Sequence, residues 1–181
     1  MIKHLIFIAC LMAFSAGCKK ESSNPTSGEI TLSSQKFGSQ TFYVFGFSVA
    51  TGSLVQFSLG SVTQIPDWVL EEILDISGNP VGANITTNPQ NSLAFSLNGT
   101  FPTNEAALAA FSAYRDVAMP SPTDKISDIK PYQLYTYKDR SGKYTKFLIE
   151  GLEKKQGDSN PYYEATIRWV SQPDGTTHFS E

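Results

Sequence analysis

The stretch at residues 163–169 reads Tyr-Glu-Ala-Thr-Ile-Arg-Trp and alternates apolar with polar side chains. Successive side chains of a β-strand point to opposite faces, so this pattern predicts a strand with one buried and one solvated face. Trp169 lies on the apolar face and is therefore expected to be a core residue. The turn sequence Gln-Pro-Asp-Gly follows at 172–175, and a short strand is predicted beyond it, at 176–179.

Strand signals of the same kind fill most of the chain before this segment. The predicted strands span 41–49, 54–59, 68–76, 81–86, 92–97, 132–138, 143–150, 163–169 and 176–179. Residues 41–49 with 54–59, and 132–138 with 143–150, flank short turn sequences, so each pair is predicted to form an antiparallel hairpin. The stretch 68–76 also has apolar side chains at helical spacing, but the turn sequence Ser-Gly-Asn-Pro after it favours a strand.

One helix is predicted, over residues 103–115. Thr103 can cap its N-terminus, and Leu108, Phe111 and Tyr114 share one face that is expected to cover the sheet. A region with three prolines separates the helix from the next strand, which predicts a loop there. The fold class that follows is mostly β, with antiparallel sheets and a single helix.

The N-terminus has the three zones of a secretory signal peptide, which is assigned to residues 1–17. Lys3 supplies the positive charge, residues 5–14 form an apolar run too short to span a bilayer, and Ser-Ala-Gly precedes Cys18. Small residues directly before a cysteine resemble the bacterial lipobox, in which the thiol receives a diacylglyceryl group and the freed amine a further acyl chain. Cys18 is therefore the predicted lipidation site. The alternative is an ordinary secretory signal followed by an incidental cysteine.

The predicted organisation after the signal peptide is a polar tether over residues 18–29 and one β-rich domain over 30–181. The chain has two cysteines, Cys10 in the signal peptide and Cys18. The domain can therefore form no disulfide and must be stabilised by its core. With 14 basic and 17 acidic residues and no basic cluster, the composition argues against a nucleic-acid partner.

The sequence contains no recognisable catalytic motif and no pattern typical of a metal site. His178 is the single histidine after the signal peptide, which leaves few arrangements for a nucleophile or a metal. Glu71, Glu72 and Asp75 form the densest acidic group, and a glycosidase needs only two carboxylates. A solvated strand or helix face explains the same three residues. The protein is thus predicted not to be an enzyme, and a carboxylate hydrolase remains the alternative.

Three stretches in the second half of the chain together resemble a known protein family. They read Pro-Tyr-Gln-Leu-Tyr-Thr-Tyr at 131–137, Ser-Gly-Lys-Tyr-Thr-Lys-Phe-Leu-Ile at 141–149 and Ala-Thr-Ile-Arg-Trp-Val-Ser-Gln-Pro-Asp-Gly at 165–175. Together they resemble the HmuY-like haem-binding lipoproteins of Gram-negative bacteria, and shorter matches follow the same order upstream, at 66–68, 77–79 and 105–117. The resemblance implies a sandwich-like β fold anchored by lipid in the outer membrane and facing the periplasm or the cell surface.

The founding members of this family hold haem between paired histidine or methionine ligands. The resemblance thus implies haem as a cofactor and an outer-membrane transporter as a partner. Met119 lies close to where a first ligand is expected, and His178, Tyr162 and Tyr163 are the candidates for the second. The loop in which a second ligand would be sought, residues 151–161, contains neither histidine nor methionine. The alternative is a related β-domain lipoprotein that binds another ligand or a protein partner without haem.

Overall fold

The computed structural model describes residues 24–38, 43–58, 65–158 and 160–179. Within them the chain is mostly β, with antiparallel sheets and one helix, which confirms the predicted fold class. The strands are β1 (Ser27–Ser33), β2 (Tyr43–Ser48), β3 (Ser53–Ser58), β4 (Val69–Leu74), β5 (Pro80–Thr86), β6 (Phe95–Thr100), β7 (Lys125–Ile126), β8 (Gln133–Lys138), β9 (Tyr144–Gln156) and β10 (Pro161–Gln172), and the helix is α1 (Asn104–Ala113). The predicted signal peptide and Cys18 lie outside the described residues.

A five-stranded antiparallel sheet, in the order β1-β10-β9-β8-β6, forms the larger layer of the molecule. Alternating apolar residues give its long strand β10 a continuous inner face. Ala165, Ile167 and Trp169 are fully or almost fully buried on that face, which confirms both the predicted strand and the core position of Trp169. The hairpin predicted from 132–138 and 143–150 is also confirmed, as β8 and β9.

The second layer consists of two smaller sheets. β2 pairs with β3, and β4 pairs with β5, which in turn pairs with β7. Backbone hydrogen bonds between Phe47 and Trp68 join β2 to the chain just before β4, so the two small sheets meet at one edge. The ambiguous stretch 68–76 is thus a strand over Val69–Leu74, because pairing with β5 and burial of Leu70 select the two-residue period, while its last two residues belong to the turn that follows.

One aromatic core fills the space between the two layers. The rings of Phe47 and Trp169 lie 5.0 Å apart, and those of Trp68 and Phe147 lie 4.6 Å apart. All four side chains are at most 1% exposed. Aromatic side chains of this size remove a large apolar area from water, and their packing between the sheets gives the fold its sandwich-like architecture.

The helix α1 covers the outer face of the larger sheet. The Thr103 side chain accepts a hydrogen bond from the Ala106 amide at 3.2 Å, which confirms the predicted N-cap. Phe111 is buried and packs with Leu134 of β8 and Leu148 of β9, so the apolar face of the helix lies on the sheet as expected. The larger sheet is therefore packed on both of its faces.

β6 lies further along the chain than the sequence indicated. The strand predicted at 92–97 spans Phe95–Thr100 instead. Leu93 adopts a left-handed backbone conformation, with φ 52°, which breaks the extended run before the strand. The ladder to β8 then shifts between Leu97 and Gly99, so a bulge carries the pairing beyond the predicted end.

The hairpin of β9 and β10 is longer than the sequence indicated. The register of the ladder shifts between Thr166 and Ile167, where a bulge absorbs one residue of β9, and pairing then continues to Gln156. The interpretation of 151–161 as a loop is therefore wrong. Most of that segment is strand, and the place where a second haem ligand was sought is largely a β-ladder.

The two ends of the domain also differ from the prediction. β1 begins at Ser27, inside the segment assigned to the tether. The strand predicted at 176–179 is wrong, because that segment makes only an isolated bridge, between His178 and Asp116. The Asp174 carboxylate accepts a hydrogen bond from the Thr176 amide at 2.9 Å. This local hydrogen bond competes with regular strand pairing.

Candidate functional site

The course of β1 gives the domain two distinguishable ends. It begins with Ser27 opposite Val170 of β10 and ends with Ser33 opposite Glu164. The N-terminal segment therefore joins the sheet at the Val170 end, which we name the proximal end. The other end, where β9 turns into β10, is the distal end. Tyr162 at the distal end is separated from Val170 by eight residues of strand, or about 27 Å.

Two of the four haem-ligand candidates lie at the proximal end. Asp116 bridges to His178, and the His178 Nδ1 atom lies 2.9 Å from the Asp116 Oδ1 atom. Met119 is three residues further along the same segment and is half-buried. The Tyr114 hydroxyl holds this segment, since it accepts a hydrogen bond from the Ala118 amide at 2.7 Å. The structure thus brings Met119 and His178 to the same end of the domain.

The other two candidates lie at the distal end. Tyr162 and Tyr163 are at the start of β10, beside the end of β9. The Tyr163 amide donates to the Ser34 hydroxyl at 2.9 Å, and its ring packs against the main core. The length of β10 separates both tyrosines from Met119. The four candidates therefore do not form one ligand set, because neither tyrosine can share an iron atom with Met119 in this fold.

A cleft lies at the distal end, partly within the second layer and partly between the two layers. Two cavities of about 390 and 470 Å³ meet there, and both are lined by Lys36, Glu72 and Leu74. We name their joint space the distal cleft. The β2–β3 hairpin contributes Tyr43 and Phe57 to one wall, while Pro80, Pro161 and Tyr162 are among the residues of the other.

An ion pair lies where the two cavities of the distal cleft meet. Lys36 Nζ is 3.5 Å from Glu72 Oε2, and the Ser34 hydroxyl donates to Glu72 Oε1 at 3.3 Å. The Glu72 side chain is only 13% exposed. It shares the inward face of β4 with Leu70, since side chains two residues apart in a strand point the same way. A carboxylate in that position needs such partners, because burial of an unpaired charge is costly.

The acidic group that suggested a hydrolase does not converge. Glu71 points to the face of β4 opposite to that of Glu72, as consecutive residues of a strand do. The Asp75 carboxylate accepts the amides of Asn79 at 2.9 Å and Ser77 at 2.8 Å within its own turn. These hydrogen bonds lower the pKa of Asp75, and the one from the Asn79 amide has the largest effect. In this part of the chain the three carboxylates form no facing pair.

A buried polar network is the feature that the sequence analysis missed. The Asp67 carboxylate accepts hydrogen bonds from the Val49 amide at 2.8 Å and the Tyr137 hydroxyl at 3.0 Å, and Asn91 donates to that hydroxyl at 3.0 Å. Burial raises the pKa of Asp67. The network ties the second layer to β8, so its role is structural. The stretch Pro-Asp-Trp at 66–68 contains Asp67 and could have indicated the network. In the sequence it was noted only for its resemblance to the HmuY-like family.

Comparison of the chain with protein-family models, with curated proteins and with solved structures gives no match in any of the three. Within the described ranges, no helix combines the length and the apolarity of a membrane span. The same residues include no group of three or more histidine, cysteine, aspartate or glutamate side chains that could hold a metal ion. The distal cleft is therefore selected as the candidate site by its geometry.

Proposed function

We propose that this protein is a membrane-anchored binding protein outside the cytoplasm, and that the distal cleft takes its ligand. The observation that carries the proposal is the position of the cleft, at the end of the domain away from the point where the N-terminal segment joins the sheet. A chain anchored through Cys18 holds its proximal end toward the bilayer and presents the cleft away from it. The resemblance to HmuY-like lipoproteins supports the outer membrane as the place of anchoring.

The length of the tether limits how far the proximal end can lie from the membrane. Eight residues, 19–26, connect Cys18 to β1, and a fully extended chain of that length reaches at most about 28 Å. β10 is 12 residues long and spans about 40 Å. An upright domain therefore keeps its distal end far from the lipid headgroups, within reach of a partner or ligand in solution.

The anchor is tested by replacing the predicted lipidated residue. Cys18→Ala is expected to abolish incorporation of a labelled fatty acid and to leave a soluble or unprocessed chain. Cys10→Ala, which alters the other cysteine of the chain, is the matched control and should keep the label. Continued labelling of the Cys18→Ala variant would show that the anchor is wrongly placed.

The orientation is tested with lipidated protein in liposomes. Ile76→Cys introduces a thiol at the tip of the β4–β5 hairpin, and Asp174→Cys introduces one in the exposed turn after β10. A maleimide that carries a long polyethylene glycol chain should label Ile76→Cys faster, because the membrane obstructs the proximal end. The ratio of the labelling rates of Ile76→Cys and Asp174→Cys in detergent, where no membrane obstructs either thiol, provides the reference. An unchanged ratio in liposomes would contradict the proposed orientation.

Haem is the second candidate ligand, and one observation at the proximal end favours it. Asp116 contacts Nδ1 of His178 and leaves the other ring nitrogen for a metal, which is the usual arrangement around a metal-bound histidine. Met119 reaches the same end. A haem held there would supply a redox-active iron whose potential depends on these axial ligands. This site would lie away from the distal cleft, and Tyr162 and Tyr163 would take no part in it.

Spectroscopic titration of the mature domain with oxidised and reduced haem separates the two candidates. Haem binding at the proximal end predicts a shifted Soret band that Met119→Ala weakens, most strongly after reduction, and that Tyr162→Phe leaves unchanged. The distal cleft predicts no such dependence on Met119. A Soret shift that is lost in Met119→Ala and His178→Ala would move the ligand site from the cleft to the proximal end.

A further inference from the structure

The smaller cavity of the distal cleft occupies a gap in a β-sheet. Phe47 and Trp68 exchange backbone hydrogen bonds, at 2.8 Å from the Phe47 amide and 3.1 Å from the Trp68 amide. A regular antiparallel ladder would continue from this pair to place Tyr43 opposite Glu72. Instead β2 and β4 diverge, and the cavity of about 390 Å³ lies between Tyr43 on one side and Leu70 and Glu72 on the other.

The edge of β4 that faces this gap presents backbone hydrogen-bonding groups. Both backbone groups of Trp68 point toward Phe47, and groups of alternate residues in a strand point the same way. The N–H and C=O groups of Leu70 and Glu72 therefore point into the gap, while those of Glu71 face β5. Among the described strands, β4 pairs with β5 alone. An edge of this kind is a template for one further strand.

The charge around the gap is negative. Lys36 is paired with Glu72, so these two charges balance each other. Glu71 is exposed, and no described residue forms an ion pair or hydrogen bond with its carboxylate. It lines both the gap and a neighbouring cavity of about 580 Å³ on the outer face of β4. A segment that enters the gap passes this carboxylate, and a basic side chain would be complementary to it.

We propose that the gap between β2 and β4 binds an extended segment of a partner protein as an added strand along β4. Its main chain bonds to Leu70 and Glu72, and a lysine or arginine of the segment pairs with Glu71. Strand addition obtains affinity from the main chain and specificity from alternate side chains, for which Tyr43 and Phe57 form half-buried apolar walls. This inference rests on the proposed function, because it names the ligand class of the distal cleft.

The charge also argues against haem as the occupant of this gap. The two carboxylates of haem would meet the carboxylate of Glu71, which pairs with no described residue, and the ring could not satisfy the backbone groups of Leu70 and Glu72. An extended basic segment satisfies both requirements at once. The binding of a second copy of the chain through the same edge is a separate outcome, which the experiment below detects.

The test uses blocked octapeptides that alternate valine and threonine and carry one central lysine. Amide hydrogen exchange of the mature domain, followed by NMR, should slow about tenfold or more at Leu70 and Glu72 when the peptide is in excess. The Glu71 amide, which already faces β5, should change little. The same peptide with N-methyl groups on the amides that would face β4 should give no protection, because it lacks the donors that the edge needs.

The charge pairing is tested by reversal. Glu71→Lys should weaken binding of the lysine peptide by about threefold to tenfold and should favour a peptide that carries glutamate in place of lysine. Glu105→Lys, on the exposed first turn of α1, is the matched control and should leave the preference unchanged. If Glu71→Lys weakens binding of both peptides equally, the proposed charge pair with Glu71 is wrong, and only the main-chain pairing along β4 remains.

Three outcomes would overturn the inference. If no peptide protects Leu70 and Glu72, while the liposome experiment keeps its expected ratio, strand addition is wrong and the proposed function stands. Protection that appears without peptide and grows with protein concentration, together with a dimer in sedimentation, would assign the edge to a second copy. A Soret shift that Tyr43→Ala abolishes would assign the gap to haem.

Discussion

The proximal and distal ends of this domain are built on the same large sheet, yet a terminal apolar side chain is buried at one end and a hairpin with several apolar side chains is exposed at the other. At the proximal end, Phe179 near the chain terminus is fully buried and packs beside Tyr114. At the distal end, Leu74, Ile76 and Val81 of the β4–β5 hairpin are 51%, 107% and 57% exposed. Other large apolar side chains, among them Leu54 and Leu93, are exposed elsewhere, but these three belong to one hairpin, and a cluster of exposed apolar residues is typical of an interaction surface. The contrast therefore supports placing the binding function at the distal end.

A buried lysine closes the proximal end. The Lys146 ammonium donates to the carbonyl oxygens of Phe111 at 2.9 Å and Tyr114 at 2.8 Å, where α1 ends and its last carbonyls need donors. It lies 4.8 Å from the ring centre of Phe111 and 5.4 Å from that of Phe179. Burial, with a smaller contribution from the charge of Arg115, lowers the pKa of Lys146 to about 8. At the distal cleft the largely buried charge has the opposite sign, since it is the carboxylate of Glu72, and it is paired with the side chain of Lys36 rather than with backbone carbonyl groups.

The largest effect is expected in the core that joins the two ends. Trp169→Ala should lower the free energy of unfolding by about 3–5 kcal/mol, because the side chain is 1% exposed and lies between the two layers. Denaturant unfolding of residues 19–181 measures the change. A loss below about 1 kcal/mol would place this face of β10 in solvent, and the two ends would no longer share one core.

The next effect concerns pH and distinguishes the proximal end. Well below pH 8 Lys146 is protonated in both folded and unfolded chains. Between pH 8 and 10 the folded protein releases this proton first, since its pKa is lowered to about 8 from 10.5. The unfolded chain then binds more protons, so the free energy of unfolding should rise with pH, by roughly 1–2 kcal/mol.

Lys146→Met should remove this rise, whereas Lys143→Met, at an exposed position of the same hairpin, should retain it. The measurement is denaturant unfolding at several pH values below 10. Burial raises the pKa of Tyr135 and Tyr137, and their unfolded forms lose protons first above pH 10, which would lower stability there. A parent protein with no rise between pH 8 and 10 would show that Lys146 titrates normally.

A smaller effect is expected at the start of α1. Thr103→Ala removes the side-chain acceptor of the Ala106 amide and should cost about 1 kcal/mol of stability. Thr51→Ala, in the turn between β2 and β3, is the matched control and should cost less. Equal losses in denaturant unfolding would indicate that the cap contributes nothing specific to the helix that covers the sheet.

The sequence predicts the elements whose pattern is local. The alternation in 163–169, the turn before β9 and the cap at Thr103 each determine their structure through neighbouring residues, and all three are confirmed. The distal cleft depends on contacts that no local pattern encodes. Lys36 and Glu72 come from segments far apart in the chain, and the sequence pattern allowed Glu72 only two interpretations, as a carboxylate of a hydrolase or as one charge of a solvated face.

The sequence pattern did not predict the full length of β9, for a related physical reason. A bulge near Gly151 changes which side chains face inward, so the alternation that identifies a strand is interrupted although the pairing continues. The haem-ligand candidates also show that a local pattern does not reveal which residues lie close together in space. Their spacing along the chain gave no indication that Tyr162 and Met119 lie at opposite ends, because that separation is set by the direction of β10 in the sheet.

The smallest change in stability is expected at the tip of the distal end. Ile76→Ser should alter the free energy of unfolding by no more than about 0.5 kcal/mol, since the side chain is fully exposed. The turn that presents it keeps its shape through the hydrogen bonds from Ser77 and Asn79 to the Asp75 carboxylate, none of which involves the isoleucine side chain. Asp75→Ala is therefore the informative companion, because it should loosen the turn and cost more than Ile76→Ser. If Ile76→Ser instead lowers stability by more than about 1 kcal/mol, the tip is a packed part of the domain, and the distal end is not the open surface on which the proposed binding depends.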